Sequence, residues 1–274
     1  MIRHHEIPFT KMEGTGNDFV MIDNRSVQLS TEQVSEWAPR LTDRRFGIGG
    51  DGVIALDESQ DGSLIMIYRN PDGSDAGMCG NGGRCFVRFA IELGFKPPIR
   101  FRVNDRIYTS EVTSNGVLLH FPLETRVQPE TSGNEQWLNV YTNTEHIVLQ
   151  RSQKELEEDA SLRDTGRMLR HHQKFSPVGT NVNFIHGKGS DQLALKTWER
   201  GVEDLTLACG TGAIASALAW HHLQNGPGGQ HITEVHSPGG PLRVHFRFTP
   251  PEELYSHVAL EGAATIVFTG IYRR

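Results

Sequence analysis

The chain has 274 residues, of which 22 % are charged and 37 % are hydrophobic, and its formal net charge at pH 7 is −6. This length fits one large or two ordinary globular domains with a buried core, and the lack of a basic patch argues against a nucleic-acid partner. The N-terminal residues do not resemble a signal peptide, and the uncharged segment 207–220 is too short to span a bilayer. We therefore expect a cytoplasmic protein with no membrane partner.

Short runs of β-branched and aromatic residues, bounded by Gly, Pro, Asn or Asp, predict strands along most of the chain. The predicted strands are 19–22, 53–56, 64–68, 117–120, 147–149, 182–185, 193–198, 242–248, 257–260 and 265–268. Helices are predicted at 31–41 with Ser30 or Thr31 as the cap, at 83–93, at 153–171 and at 213–223. The segment 124–137 is rich in Pro, Ser, Thr and Gly, which predicts a linker or exposed excursion between two halves.

Two similar segments, Cys-Gly-Asn-Gly at 79–82 and Cys-Gly-Thr-Gly at 209–212, each precede a predicted helix. A predicted strand precedes each of them, and a polar residue, Asn70 or Arg200, lies nine residues before the cysteine (79 − 70 and 209 − 200). The chain is therefore predicted to contain a duplicated unit: strand, polar tip, loop, cysteine and helix.

Cys79 and Cys209 each precede a predicted helix, and this position suggests that they are catalytic. The first turn of a helix has backbone N–H groups without helical partners and the positive end of the helix dipole, and both stabilise a thiolate. The same amides can hold a carboxylate, because the glycines let a ligand approach the backbone. Two such cysteines on opposite faces of one carbon could remove a proton and return it with inversion.

Other sequence features argue against a disulfide framework, a metal site and a dinucleotide-binding site. Cys85 lies inside the first of these helices and is expected to be structural. Three cysteines do not suggest a disulfide framework, and the cysteines and histidines lack zinc-ligand spacing, so no metal is expected. Residues 47–52 match Gly-x-Gly-x-x-Gly, but a polar segment precedes them and a predicted strand follows. A dinucleotide site needs the reverse order, so we predict a tight turn near the site.

An ordered series of motifs resembles the diaminopimelate epimerase family. The motifs are KMEGTGNDF at 11–19, GIGGDG at 47–52, NPDGS at 70–74, MCGNGGRC at 78–85, NVNF at 181–184, WERG at 198–201 and ACGTG at 208–212. Proline racemase relatives typically carry Cys-Gly-His-Gly at the first cysteine, where this chain has Cys-Gly-Asn-Gly. The resemblance extends through nearly the whole chain.

This resemblance implies an α+β fold of two pseudo-symmetric α/β halves, each a mixed sheet wrapped around a central helix, with the active site in the cleft between them. The halves would be 1–123 with a C-terminal strand, 264–274, and 124–263. It also implies a homodimeric enzyme that needs no cofactor, neither pyridoxal phosphate nor metal. Its small-molecule substrate would be diaminopimelate, and the reaction would interconvert LL- and meso-2,6-diaminoheptanedioate for lysine and peptidoglycan synthesis.

Carried over by position, the resemblance implies that Cys79 and Cys209 are the catalytic acid/base pair. The implied substrate-binding residues are Asn17, Asn70, Gly80, Asn81, Asn181, Glu199, Arg200, Gly210 and Thr211. His146 matches a supporting polar group near the thiols. The family usually has Gly-x-Pro-His at this point, whereas this chain has Asn143-Thr144-Glu145-His146, so the path of this loop is left open.

Three alternatives remain at the level of sequence. One is a racemase of another amino acid on the same fold, although Arg200 would then be left without a distal carboxylate to pair with. Another is a cysteine nucleophile, with Cys79 and His146 as a thiol–imidazole pair. The third is a non-catalytic amino-acid-binding protein, in which both thiols would be dispensable.

Overall fold

The computed structural model describes residues 6–132 and 135–273. These residues form two compact units, which divide the chain after His120 and after Glu261. Unit 1 contains the described residues up to 120 and from 262, and unit 2 contains those from 121 to 261.

The secondary structure of both units is mainly β. The strands of unit 1 are β1 (Glu6–Gly14), β2 (Asn17–Asp23), β3 (Gly52–Glu58), β4 (Leu64–Arg69), β5 (Arg100–Val103), β6 (Arg106–Thr113), β7 (Gly116–His120) and β17 (Thr265–Arg273). The strands that lie mainly in unit 2 are β8 (Val127–Ser132), β9 (Glu135–Tyr141), β10 (Glu145–Gln150), β11 (Asn181–Gly187), β12 (Gln192–Glu199), β13 (Asp204–Thr206), β14 (Gly229–Ser237), β15 (Gly240–Thr249) and β16 (Leu254–Gly262). The α-helices are α1 (Asn24–Val27), α2 (Thr31–Thr42) and α3 (Gly80–Glu92) in unit 1, and α4 (Gln153–Glu157), α5 (Asp159–Arg170) and α6 (Gly210–Leu223) in unit 2.

The sheets of the two units have the same number of successive strands and the same succession of parallel and antiparallel pairs, apart from the added β13. In unit 1 the order is β17, β1, β2, β3, β4, β5, β6, β7, and the β2/β3 and β4/β5 pairs are parallel. In unit 2 it is β8, β9, β10, β11, β12, β14, β15, β16, with β10/β11 and β12/β14 parallel and β13 added as a hairpin on β12. The predicted α+β fold of two pseudo-symmetric halves is therefore confirmed.

In each unit one helix packs inside the mixed sheet. α3 packs against β1, β2, β3 and β7, and α6 packs against β9, β10, β11, β12 and β15, among others. Apart from Thr211, every residue of α6 from Gly210 to His221 is buried. A helix buried on all sides has no polar face, which explains why this segment is uncharged and rich in Ala and Gly.

Other helices cover the outer faces of the sheets. Ser30, one of the two predicted caps, caps α2, and it does so through a capping box with Gln33. The predicted helix 153–171 is instead two helices, since Glu158 between α4 and α5 has non-helical angles (φ −89°, ψ 73°). The buried face of α5 packs in a core cluster with Trp198 of β12.

The prediction of a linker at 124–137 is wrong. Most of this segment belongs to the antiparallel pair β8/β9, and its side chains Val127 and Trp137 are buried. Turn-forming residues dominate its composition, but those two apolar residues anchor it to the core. Residues 133–134 lie outside the described part.

The glycine-rich segment 47–52 forms a tight turn, as predicted. The N–H groups of Ile48 and Gly49 both donate to the carbonyl of Leu41, and β3 starts at Gly52. A strand rather than a helix follows the turn, which is inconsistent with a dinucleotide site.

Across the described residues, every helix falls short of the length and apolarity needed to cross a membrane.

We predict that Gly166→Ala destabilises unit 2, although alanine is the better helix former. A Cβ at Gly166 would lie 2.7 Å from Cβ and Cγ of Trp198, so the buried indole would have to move. The expected loss is about 1–3 kcal/mol in the free energy of unfolding, measured by urea titration. Gly189→Ala is the matched control, because the nearest atom to its Cβ would be 3.9 Å away. Equal or higher stability of Gly166→Ala than of the unmodified protein would contradict this packing.

Candidate active site

Cys79 precedes α3, as the sequence predicts, and is its N-cap residue, since the helix begins earlier than the predicted residue 83. Its backbone is extended, its side chain is half-buried, and its Sγ accepts a hydrogen bond from the N–H of Gly82 at 3.4 Å. The helix begins at Gly80, so the Cys-Gly-Asn-Gly segment supplies its first turn. The sulfur therefore lies at the positive end of a buried helix, where negative charge is stabilised.

Asn17 lies next to this sulfur. The β1/β2 hairpin turns through Thr15 and Gly16, both with positive φ (59° and 81°), and places Asn17 at the start of β2. The Sγ of Cys79 donates to Oδ1 of Asn17 at 3.6 Å, and Nδ2 of Asn81 donates to the same oxygen at 3.4 Å. The structure thus brings three of the predicted site residues together.

Asp51 fixes the orientation of the Asn17 amide. Nδ2 of Asn17 donates to Oδ2 of Asp51 at 2.6 Å. An ionised carboxylate only accepts hydrogen bonds, so the amide nitrogen must face Asp51. The amide oxygen is thereby directed at Cys79.

A network of charges holds Asp51. Nη2 of Arg44 donates to Oδ1 of Asp51 at 2.8 Å, and the same guanidinium forms two hydrogen bonds with Asp18 at 2.7 and 3.0 Å. The buried Lys11 forms an ion pair with Asp18 at 2.6 Å and donates to the carbonyl of Gly49. Burial alone would raise the pKa of Asp18, but the hydrogen bonds and charges of Arg44 and Lys11 lower it to about 2.

Arg84 places a buried positive charge in the same helix. Its guanidinium is fully buried and donates to Oγ1 of Thr15 at 2.8 Å and to the carbonyl of Gly80 at 3.3 Å. Burial lowers the pKa of Arg84 from its ordinary value. Burial also raises the pKa of the Cys85 thiol well above its ordinary value, so this cysteine stays protonated.

Asn70 forms a turn after β4. Its backbone N–H donates to the carbonyl of Ser74 at 3.0 Å, and its side-chain Nδ2 donates to Oγ of Ser74, also at 3.0 Å. Its predicted contact with substrate stays a prediction.

Cys209 is the N-cap residue of α6, the counterpart of α3, and is buried. Its Sγ lies 3.6 Å from Oγ1 of Thr211, and the carbonyl of Thr211 accepts from Oγ1 of Thr142 at 3.4 Å. Below this turn, a Cβ at Gly212 would lie 2.5 Å from Oδ1 of Asn183, so the helix backbone rests directly on that amide.

Asn181 connects the ends of three neighbouring strands. Its Nδ2 donates to the carbonyl of Glu145 at 3.0 Å, and its Oδ1 accepts from the N–H of Arg200 at 2.9 Å. The amide therefore positions Arg200, which is half-buried and follows Glu199 at the end of β12. The predicted substrate contacts of Asn181, Glu199 and Arg200 stay predictions.

His146 lies near the start of β10, fully buried and paired in register with Asn181. The loop before it is a short turn, 142–144, in which Asn143 has φ 68°. The ring Nδ1 lies 3.1 Å from Nδ2 of Asn183. Burial, and secondly the charge of Arg200, lower the pKa of His146 to about 3.

Several residues that contact the surroundings of Cys79 or Cys209 were given no role in the analysis of the sequence. They are Lys11, Asp18, Arg44, Asp51, Arg84, Asn183 and Thr197. Five of them lie inside the recognised motifs, where a charged or amide side chain without an assigned role was the available signal; Arg44 and Thr197 lie outside the motifs. Among residues 6–132 and 135–273, no three His, Cys, Asp or Glu side chains are grouped so that they could hold a metal ion.

Comparison with known proteins decides the family. The diaminopimelate epimerase family model matches residues 9–117 and 138–255. The chain belongs to the diaminopimelate epimerase family. It is 34 % identical over 262 residues to the diaminopimelate epimerase of Flavobacterium psychrophilum, covering 94 % of this chain and 97 % of the relative. It is 38 % identical over 267 residues to that of Chlorobaculum tepidum, covering 94 % and 98 %.

Members of the diaminopimelate epimerase family are isomerases, so the chain is an enzyme of that class. Solved structures with a similar fold include a phenazine biosynthesis protein of the PhzF family from Bacillus anthracis, with a TM-score of 0.75 at 12 % identity, covering 97 % of this chain and 98 % of that one. A hydroxyproline epimerase from Agrobacterium vitis matches with a TM-score of 0.69 at 13 % identity, covering 98 % and 93 %. These likenesses show the fold alone.

We predict that Asp51→Ala lowers kcat/KM by about tenfold or more, because the released Asn17 amide loses a half-buried charge-assisted hydrogen bond. Steady-state epimerisation assays on the purified variant test this, with circular dichroism to verify folding. Asp105→Ala is the control, since Asp105 is an exposed aspartate between β5 and β6. Wild-type kinetics for Asp51→Ala would show that Asn17 needs no such support.

Proposed function

We propose that this enzyme interconverts LL- and meso-2,6-diaminoheptanedioate without a cofactor, using Cys79 and Cys209 as its two acid/base groups. The observation that carries the proposal is the duplicated arrangement of a cysteine as N-cap of the central helix in each half. Family membership supports diaminopimelate as the substrate.

In the proposed reaction, one cysteine thiolate removes the Cα proton from one face of the substrate. The other cysteine, as a thiol, gives a proton to the opposite face, and the configuration inverts. The reverse direction exchanges the two roles, so each thiol is a base for one stereoisomer and an acid for the other. Since the two protons are different, solvent hydrogen enters the product.

Negative charge on the reacting carboxylate grows as the Cα proton leaves. The first-turn amides at Gly80 and Asn81, and at Gly210 and Thr211, are the proposed donors to this carboxylate. Arg200, held by Asn181, is the proposed partner of the distal carboxylate, because a guanidinium can bind it through two parallel hydrogen bonds.

The competing hypotheses are less well supported. A thiol–imidazole nucleophile needs a basic histidine, and the pKa of His146 is lowered to about 3. Family membership argues against a non-catalytic binding protein. A racemase of another amino acid would leave Arg200 without the second carboxylate that diaminopimelate supplies.

The decisive experiment incubates LL-diaminopimelate with the enzyme in D₂O and follows the Cα–H signal by NMR. We expect epimerisation with loss of that signal as deuterium enters. Cys79→Ala and Cys209→Ala should each lower the rate by about 10²–10⁴-fold, the usual effect of removing a general acid or base. Cys85→Ala is the control, because its thiol is buried and protonated.

Near-normal turnover by either the Cys79 or the Cys209 variant would refute the two-thiol mechanism. Exchange on another amino acid, with none on diaminopimelate, would favour the racemase. A covalent substrate adduct without deuterium at Cα would favour the nucleophile.

We also infer a cytoplasmic homodimer that supplies lysine and peptidoglycan synthesis. The dimer is supported by β17, which among the described strands of unit 1 pairs only with β1. Val267, Phe268 and Ile271 on this strand are 54 %, 47 % and 54 % exposed. An exposed apolar edge strand is typically covered by another chain.

Sedimentation velocity tests the dimer with Ile271→Asp, which we expect to sediment as a monomer because a charge would enter an apolar interface. Val202→Asp is the control, since Val202 is equally exposed, at 59 %, but lies in a loop of unit 2. A monomeric unmodified protein, or a dimer unaffected by Ile271→Asp, would exclude this strand as the interface.

A further inference from the structure

One side chain in unit 2 has hydrogen-bonding capacity that the surrounding protein does not use. Nε2 of His146 is buried and, within residues 6–132 and 135–273, has no hydrogen-bond partner. The ring's other nitrogen, Nδ1, contacts Asn183. A fully buried imidazole with one committed nitrogen and one uncommitted nitrogen is suited to a ligand contact.

The orientation of the Asn183 amide follows from its other partners. Nδ2 donates to the carbonyl of Ile147 at 2.9 Å, and a backbone carbonyl can only accept. Oδ1 accepts from Oγ1 of Thr197 at 2.9 Å. A rotated amide would place two oxygens against each other at Ile147, so this orientation is fixed without reference to the histidine.

This orientation decides the protonation of His146. Asn183 presents only an N–H to the ring, so Nδ1 must accept, and the imidazole proton must lie on Nε2. An imidazolium, or the tautomer with its proton on Nδ1, would place two N–H groups against each other at 3.1 Å. Burial and the charge of Arg200, the charged group that acts on this ring, also favour the neutral form.

We propose that Asn183 is a positioning residue that holds His146 as the neutral Nε2–H tautomer, a fixed hydrogen-bond donor that neither gains nor loses a proton during turnover. The ligand group that matches such a donor near the positive charge of Arg200 is a carboxylate oxygen. This ligand assignment rests on the proposed function, whereas the tautomer is a property of the resting protein.

Nitrogen NMR of the full chain with ¹⁵N-labelled histidine tests the tautomer without substrate. The chain has 13 histidines, so the His146 signals are identified as those missing from His146→Gln. We expect a protonated Nε2 and an unprotonated Nδ1 that do not titrate between pH 6 and 8. An imidazolium or a proton on Nδ1 in the unmodified protein would overturn the proposal, even if the enzyme proved to act on another substrate.

The variant Asn183→Asp tests whether Asn183 sets the tautomer of His146. The aspartate keeps the shape of asparagine but presents oxygen to both Nδ1 of His146 and the carbonyl of Ile147. A proton should therefore bind Nδ1, as the Nδ1–H tautomer or as an imidazolium, and kcat should fall by about tenfold or more. Asn225→Asp is the matched control, because Asn225 is an exposed asparagine after α6. A His146 tautomer unchanged in a folded Asn183→Asp protein would show that another contact sets it.

The paired variants His146→Gln and His146→Leu distinguish two possible roles of His146, hydrogen-bond donation and proton transfer. Glutamine retains an N–H donor but cannot exchange a proton in this pH range, and leucine retains neither function. We expect Gln to keep kcat within about tenfold of the unmodified enzyme and Leu to lose clearly more. Equal loss in the two variants, with both folded, would show that an N–H donor is not what His146 contributes and would refute the proposal.

Discussion

The structure depends on one constraint: in each half, a helix is enclosed by a mixed sheet and its N-terminal end carries a cysteine. Burial on all sides requires small or apolar side chains along α6, and leaves the amides of its first turn as the polar groups at that end. Cys79 and Cys209 cap these turns from extended backbone, with φ of −112° and −121°. The enclosed helix therefore determines both the composition of the segment and the electrostatic environment of its sulfur.

The two halves share a topology but support their cysteines with different chemistry. In unit 1, ions support the site: Arg44 holds Asp51, and Asp51 orients the Asn17 amide towards Cys79. In unit 2, neutral groups support it: Asn183 lies under the first turn of α6 and orients His146. A pseudo-symmetric fold thus provides two unlike environments for two like thiols.

Much of this could be predicted where the signal is local. Ser30 is one of the two predicted caps and caps α2, and each Cys-Gly-x-Gly segment precedes a helix as predicted. α3 and α6 begin at Gly80 and Gly210, three residues before the predicted starts at 83 and 213. The interpretation of 124–137 failed because turn-forming composition hid the two buried residues that fix a strand pair. The helix 153–171 was predicted as continuous, whereas the backbone turns away from helical angles at Glu158.

The sequence by itself determined the duplicated unit, the placement of each cysteine before a helix and, through its ordered motifs, the family. These features depend on residues that lie close together along the chain, because turns, helix caps and apolar periodicity involve only short-range interactions. Only the tertiary structure decided which groups orient the site: Asp51 meets Asn17 across 34 positions, and Asn183 meets His146 across 37. Such contacts arise because parallel strands β2/β3 and β10/β11 lie side by side after long connections. The register of those strands, which no local pattern encodes, selects the partner of each amide.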